Sequence, residues 1–237
     1  GNVEILLVHH KKSELEFMNN GYGILRHDLM YNDFVLIGPK KDKKTCSSIE
    51  NKMIEIKKSK LLFVTGGAGF IGSHTTLLLL EKGYVVFILD SFVNSCHKSI
   101  TNISIILKEK CIDTKGKIYL IKGDLKNLSD IEKVFKLSSK LEKNIEAVIH
   151  FAGLKSVYDS IMNPLNYWDN NVLGTLNLLK VMEKYYCKTI VFSSSATIYG
   201  SNNINPIKES FDINPINPYG QTKATIEIIL DNIFKIS

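Results

Sequence analysis

Leu61-Leu62-Phe63-Val64-Thr65-Gly66-Gly67-Ala68-Gly69-Phe70-Ile71-Gly72 is the stretch on which the reading of the fold turns. Leu61 to Thr65 reads as a short buried strand, and it runs straight into glycines spaced GxxGxxG at Gly66, Gly69 and Gly72. A helix is expected to follow over residues 71–82, ended by Gly83, which suits the left-handed backbone that closes many helices. In a strand–loop–helix of this kind one glycine makes the tight turn. A second lets a pyrophosphate approach the backbone, and a third lets helix and strand pack closely. The free N–H groups and dipole at the helix start then hold the anion. The glycines alone carry little; the strand before them, the helix after them and an acid at the end of the next strand carry more. That acid is Asp90, closing Phe87-Ile88-Leu89-Asp90. A carboxylate there accepts from the adenosine ribose hydroxyls and repels a 2′-phosphate, so NAD is expected rather than NADP. A ligand-free glycine turn with a surface Asp is the plain alternative.

Working outward, apolar strands and amphipathic helices alternate. Strands are expected at residues 84–89, 118–121, 147–151 and 189–192, and helices at 129–141, 167–184 and 221–234. Continuous apolar strands separated by helices indicate an α/β fold, a Rossmann-like doubly wound parallel sheet covered on both faces. No internal repeat is present.

A second constellation lies near the carboxyl end. Tyr219-Gly220-Gln221-Thr222-Lys223 puts a Tyr and a Lys four residues apart, on one face of a helix, with Pro218 suiting its start. A Lys ammonium beside a phenol favours phenolate, so the pair is expected to lower the phenol pKa and make Tyr219 a general base and acid. Tyr-x-x-x-Lys is also common on ordinary helices. Upstream, Ser193-Ser194-Ser195-Ala196-Thr197 follows the strand at 189–192, at a carboxyl end of the sheet, where open α/β folds bind ligands. A Ser hydroxyl there can position a substrate proton.

From about residue 61 to its end the chain resembles the extended short-chain dehydrogenase/reductases, and more narrowly their UDP-glucose 4-epimerase branch. The carrying segments are the glycine loop through Ser73-His74, His150-Phe151-Ala152-Gly153-Leu154-Lys155, Asp169-Asn170-Asn171-Val172, Ser193-Ser194-Ser195-Ala196-Thr197-Ile198-Tyr199-Gly200 and Asn217-Pro218-Tyr219-Gly220-Gln221-Thr222-Lys223. The family's 4,6-dehydratases carry Asp-Glu where this chain has Ile198-Tyr199. The resemblance implies that Tyr219 is the catalytic base and acid, with Lys223 as its tuner and ribose contact and Ser195 as the partner of the substrate hydroxyl. It implies that Gly66, Gly69, Phe70, Ile71 and Gly72 meet the pyrophosphate, and that Asp90, Ser91, Phe92, Val93, Asn94 and Ser95 surround the adenosine ribose. Asp124 and Leu125 are expected to flank the adenine. Phe151, Ala152, Gly153, Leu154 and Lys155 are expected to line the cofactor cleft, with Asn170 supporting it.

The implied reaction interconverts UDP-glucose and UDP-galactose by transient oxidation at C4, with NAD retained through each cycle and no metal. A non-catalytic NAD-binding fragment is the alternative. The family continues past this helix with further strands and a domain holding the UDP-sugar, so weak turnover is expected of these residues alone. The resemblance suits a cytoplasmic protein, with homodimerisation left open.

The first segment differs in texture. Residues 1–38 read strand, helix, strand, at 3–8, 12–19 and 33–37. Val8-His9-His10, Phe17-Met18-Asn19-Asn20-Gly21-Tyr22-Gly23 and Met30-Tyr31-Asn32-Asp33-Phe34-Val35 resemble part of the tungstate-binding proteins of ABC transporters. No site is carried over from that resemblance. Residues 39–60 hold eight Lys against one Asp and two Glu, the composition of a solvated connector. The expected organisation is therefore a fragment at 1–43, a basic linker at 44–60 and a cofactor-binding domain at 61–237.

Composition sets outer bounds. The 237 residues are 44% hydrophobic and 23% charged, as in ordinary globular chains. No stretch approaches the roughly 18 unbroken apolar residues of a membrane helix. The formal charge is +6, but it rests on lysine, with Arg26 the one arginine, so phosphate- and base-reading Arg forks are absent and nucleic acid is disfavoured. Cys46, Cys96, Cys111 and Cys187 form no paired motif, against a zinc site or a disulfide framework. Residue 1 is Gly, and a fragment or processed form is expected.

Overall fold

The protein is described here by a computed structural model covering residues 26–27, 34–35, 60–201 and 207–236. Two short strands, β1 (Arg26–His27) and β2 (Phe34–Val35), pair antiparallel. β2 falls inside the strand expected at 33–37, and β1 was not foreseen. The strand expected at 3–8, the helix at 12–19 and the linker at 44–60 lie outside the described residues apart from Lys60.

Five further strands form one parallel sheet. They are β3 (Leu61–Thr65), β4 (Val85–Asp90), β5 (Ile118–Lys122), β6 (Ile145–His150) and β7 (Ile190–Phe192), in the order β5-β4-β3-β6-β7. The chain steps outward from β3 to β5, then returns to the other side of β3 as β6. The order therefore reverses between β3 and β6, at the carboxyl ends of Thr65 and His150. Ligands of doubly wound sheets bind at such a switch point.

All six residues of β4 are buried, which is why Val85-Val86-Phe87-Ile88-Leu89 reads as an unbroken apolar run. Alternate residues serve opposite faces. Val64, Val86 and Ile88 join Leu80 of α1 (Phe70–Glu81) and Ile100, Ile103 and Leu107 of α2 (His97–Glu109) in one core. Phe63 meets Phe135 of α3 (Leu128–Lys140) edge-on, ring centroids 5.9 Å apart. Each large apolar side chain so buried contributes about 1.5–3 kcal/mol.

α1 ends at Lys82 with the predicted glycine. Gly83 takes φ +88°, its N–H donates to Leu80 O at 3.0 Å, and the Tyr84 N–H reaches back to Leu79 O at 3.0 Å. α2 is a helix the sequence did not announce. His97-Lys98-Ser99-Ile100-Thr101-Asn102-Ile103 is rich in β-branched and hydroxyl residues of poor helix propensity. Its stripe at Ile100, Ile103 and Leu107 wins because tertiary burial outweighs propensity.

The helix expected at 167–184 starts earlier and is interrupted. α4 (Val157–Met162) is capped by Ser156, whose Oγ accepts from Asp159 N at 3.2 Å. α5 (Pro164–Tyr167) opens on proline, a wider π turn covers Trp168–Leu173, and α6 (Gly174–Lys184) follows. The last helix, α7 (Pro218–Ile236), also starts at its proline, three residues before the expected 221. The described residues divide into two compact units. One takes the described residues from Lys60 to Ala152 together with Leu178–Phe192, and so holds the whole parallel sheet. The other takes β1 and β2, Gly153–Asn177 and Ser193 onward.

Candidate active site

In the sheet unit the glycine loop is shaped by its neighbours. Gly66 has φ +67°, and a Cβ there would stand 2.7 Å from Ala152 N. Only glycine lets β3 turn this tightly against the chain leaving β6. That approach is held by Phe151 N donating to Thr65 O at 3.1 Å and Ala152 N donating to Thr65 Oγ1 at 3.3 Å. Thr65 Oγ1 also lies 2.7 Å from Nδ1 of His150, which is buried at 1% exposure. The Thr65–His150 tie was not read from the sequence; the only signal was that each closes an apolar strand.

Gly69 is different. A Cβ there would meet one atom outside its immediate neighbours within 4 Å, Gly66 O at 3.2 Å. Gly69 caps α1 without a side-chain hydrogen bond, so the first-turn N–H groups face an open cradle. A glycine not demanded by protein packing, in front of a helix start, fits the approach of a pyrophosphate. Phe70 and Ile71 begin that turn, and Phe70 is exposed, its ring 4.8 Å from that of His74.

Asp90 is buried at the end of β4. Its Oδ2 accepts from Ala68 N at 2.9 Å, and its Oδ1 accepts from Phe92 N at 2.9 Å and Ser95 Oγ at 2.7 Å. The carboxylate thus ties the glycine loop to the segment after β4, a structural duty beyond the one the sequence suggested. Three of its roughly four acceptor positions are used, leaving room for one further hydroxyl. Ser91 is half-buried, Val93 and Asn94 are exposed, and Phe92 holds φ +60° with its ring stacked on His97 at 3.7 Å. Past β5, Asp124 Oδ1 accepts from Lys126 N at 2.9 Å, and Leu125 is buried.

The second unit brings together Ser195, Tyr219, Lys223, Gly153 and Leu154. Tyr219 and Lys223 lie one turn apart on α7, both buried. Lys223 Nζ donates to Ser193 O at 2.8 Å and stands 6.0 Å from the Tyr219 ring centroid. Ser195 starts a turn of 3-10 helix (Ala196–Tyr199), its Oγ accepting from Thr197 Oγ1 at 2.9 Å. Gly153 lies close by, since a Cβ on it would be 3.8 Å from Lys223 Nζ. Lys155 is exposed and Asn170 half-buried.

The amide that supports this unit is Asn171, next to the Asn170 singled out by sequence. Asn171 is 2% exposed; its Oδ1 accepts from Leu154 N at 2.8 Å. Its Nδ2 donates to Leu154 O and to Thr222 Oγ1, both at 3.0 Å. It therefore fastens the segment 153–155, past the end of β6, to α7, from within the π turn. Local sequence could not separate it from Asn170, because the π turn shifts which residue faces inward.

Burial pushes the Tyr219 phenol above its ordinary value of 10.0, with the Ser195 side chain pulling it part of the way back. This corrects the expected direction. The Lys223 ammonium donates to Ser193 O, and burial is the largest influence on the phenol. Burial brings Lys223 itself down from 10.5 to about 8, against a smaller upward pull from Glu227. Lys223 therefore remains a cation at neutral pH. Among the described residues no group of three or more His, Cys, Asp or Glu could hold a metal. Nor is any described helix long and apolar enough to cross a membrane.

Known proteins resemble the same stretch. The family described as GDP-mannose 4,6 dehydratase matches residues 63–236. A bifunctional UDP-glucose 4-epimerase and UDP-xylose 4-epimerase of Arabidopsis thaliana is 45% identical over 172 residues, covering 73% of this chain and 47% of its own length. A bifunctional UDP-glucose and UDP-xylose 4-epimerase of Pisum sativum is 43% identical over 180 residues, covering 76% and 49%. The crystal structure of UDP-glucose 4-epimerase from Bifidobacterium longum, in complex with NAD+ and UDP, superposes with a TM-score of 0.66 at 40% identity. The superposition covers 75% of this chain and 50% of that one. The chain thus spans about half the length of the curated relatives it matches. The matched stretch begins at residue 63 and gives the likeness of residues 1–43 to a tungstate-binding protein no support.

Proposed function

The chain belongs to the GDP-mannose 4,6-dehydratase family of nucleotide-sugar enzymes, and within it we propose the cofactor-binding and proton-transfer half of an NAD-dependent UDP-glucose 4-epimerase. The observation that carries the reading is the buried Tyr219–Lys223 pair with Ser195 beside the phenol. Ile198-Tyr199, where dehydratases of the family resemble one another in Asp-Glu, supports epimerisation over dehydration. The names of the relatives and of the solved neighbours, epimerases crystallised with NAD among them, point the same way.

The residues present fit NAD. The uncapped start of α1 and the cradle before Gly69 would hold the pyrophosphate, with Phe70 and Ile71 at its edge and Gly66 and Gly72 shaping the loop. Asp90 would accept one hydrogen bond from an adenosine ribose hydroxyl at its remaining acceptor position, within the segment Ser91 to Ser95, and would oppose a 2′-phosphate. Asp124 and Leu125 would flank the adenine, and Phe151, Ala152, Gly153, Leu154, Lys155 and Asn170 would complete the cleft. When bound, NAD supplies the acceptor that takes hydride from sugar C4 and returns it.

The chain's own groups move the proton. Tyr219 takes the proton of the sugar 4-hydroxyl and gives it back after the keto sugar has turned. Ser195 holds that hydroxyl in line with the phenol. Lys223, cationic below about pH 8, stabilises the phenolate as it forms. The UDP group and sugar are the proposed substrate, and the site needs no metal.

Two measurements test the reading. The purified protein should carry or bind NAD and prefer it clearly over NADP by calorimetric titration. Joined to the remaining half of a relative, it should interconvert UDP-galactose and UDP-glucose. No uptake of NAD, or an active chimera indifferent to Tyr219, overturns it.

A further inference from the structure

A backbone carbonyl taken from water needs a donor, and a turn made of glycines offers no side chain of its own. The loop after β3 is served by its neighbours. Gly66 N donates to Leu89 O at 2.9 Å, Ala68 N to Asp90 Oδ2 at 2.9 Å, and Gly69 N to Gly66 O at 3.1 Å. Ala68, 3% exposed, has its carbonyl met from a different element. Ser99, in the first turn of α2, donates its hydroxyl to Ala68 O at 2.8 Å. All of these groups belong to the sheet unit.

The usual task of a serine near a helix start is to accept from an unpaired N–H of that helix. Ser99 serves the loop instead. No side chain caps α2, and the Ser99 hydroxyl acts as a donor. Cys96 O also lies 2.8 Å from Ser99 Oγ, but it already accepts from Ser99 N at 3.1 Å. A hydroxyl has one proton, and here it goes to the carbonyl that lies outside the helix, Ala68 O. The next residue, Ile100, shares one core with Ala68 and Ile88.

This hold reaches the open end of the loop. Ala68 O and Gly69 N belong to one peptide group, so the Ser99 hydroxyl and the Gly66 carbonyl fix its plane from opposite edges. That peptide leads into Gly69, the uncapped start of α1, and its plane sets where the first-turn N–H groups of Phe70 and Ile71 point. Toward the sheet the loop has no room to shift, since a Cβ on Gly67 would stand 2.7 Å from Ile88 Cγ2.

We infer that Ser99 is a positioning residue for the glycine loop: its hydroxyl holds the Ala68–Gly69 peptide so that the start of α1 is aimed at a diphosphate before one arrives. The hold itself stands on the sheet unit alone; its use in binding NAD rests on the function proposed above.

The test compares three variants of the full chain. Ser99→Ala removes the hydroxyl and raises helix propensity, so α2 is kept. Ser99→Thr retains the hydroxyl. Ser139→Ala removes another hydroxyl of the sheet unit, one that donates to Phe135 O at 3.0 Å inside α3. Calorimetric titration should show NAD bound about tenfold more weakly by Ser99→Ala, within about threefold of the parent by Ser99→Thr, and as in the parent by Ser139→Ala. In the ligand-free chain, amide hydrogen exchange at Ala68 and Gly69 should quicken about tenfold in Ser99→Ala and in neither other variant. Parental NAD affinity in Ser99→Ala, an equal loss in Ser139→Ala, no recovery in Ser99→Thr, or unaltered exchange at the loop each overturns the proposal. If the parent takes up no NAD, the cofactor reading fails, and exchange at Ala68 and Gly69 alone decides whether Ser99 holds the loop.

Discussion

Under the function proposed above, the two units would hold a ligand with different materials. The sheet unit works through backbone: a glycine loop that turns at Gly66, a helix start without a cap, and a carboxylate spent largely on loop N–H groups. The unit of Tyr219 works through side chains: a buried Tyr, a buried Lys and a buried amide at Asn171 that makes three hydrogen bonds. The first needs shape and is written in glycine spacing. The second needs shifted proton affinities, which come from burial. Damage to the first should therefore appear as lost stability and lost cofactor, and damage to the second as lost chemistry with the fold intact.

The sharpest way to break that contrast is Tyr219→Phe. The ring still packs beside Tyr167, 6.5 Å between centroids, but no hydroxyl remains. Turnover of a chimera completed with a relative's other half should fall about a thousandfold or more with NAD still bound. Activity within a few-fold of the parent would place the base elsewhere.

Gly72→Ala probes the other unit. Its Cβ would fall on the Gly66 carbonyl oxygen and stand 2.8 Å from Gly67 Cα, both backbone atoms that cannot step aside. The loss should be about 3 kcal/mol in chemical denaturation, with weaker NAD binding. A variant as stable as the parent would mean the loop is softer than drawn.

Asn171→Ala lies between. It strands Leu154 N and O and removes one bond accepted by Thr222 Oγ1, which keeps its own to Tyr219 O, for about 2 kcal/mol of stability. If turnover of the chimera fell without any loss of stability, the amide would belong to the chemistry and the contrast would need redrawing.

Asp90→Asn should narrow the preference for NAD over NADP by about tenfold, read by calorimetry with both. The effect is modest because the carboxylate has one acceptor position left for the ribose. An unchanged preference would reduce Asp90 to its loop-tying duty.

The smallest effect is one of pH. Lys223 is held near 8, below its ordinary 10.5, so the cation is present below that value and is lost as pH rises through it. Turnover should be about halved near pH 8 and fall further above it. A profile flat to pH 10 would show that Lys223 is not needed as a cation.

Sequence by itself determined the doubly wound parallel fold, the glycine loop and its acid, and the spacing of Tyr219 and Lys223. These rest on near-neighbour chemistry: strand runs, turn residues and helical period all fall within about twenty residues of each other. It did not reveal α2, whose Ile100, Ile103 and Leu107 form a helix only because a core awaits them. It did not separate Asn171 from Asn170, since a π turn moves the inward face by a fraction of a turn. It also gave the wrong direction for the Tyr219 phenol. Proximity to a lysine is legible in a four-residue spacing, but the cost of burying a charge depends on everything packed around it, and only the tertiary structure assembles that surrounding.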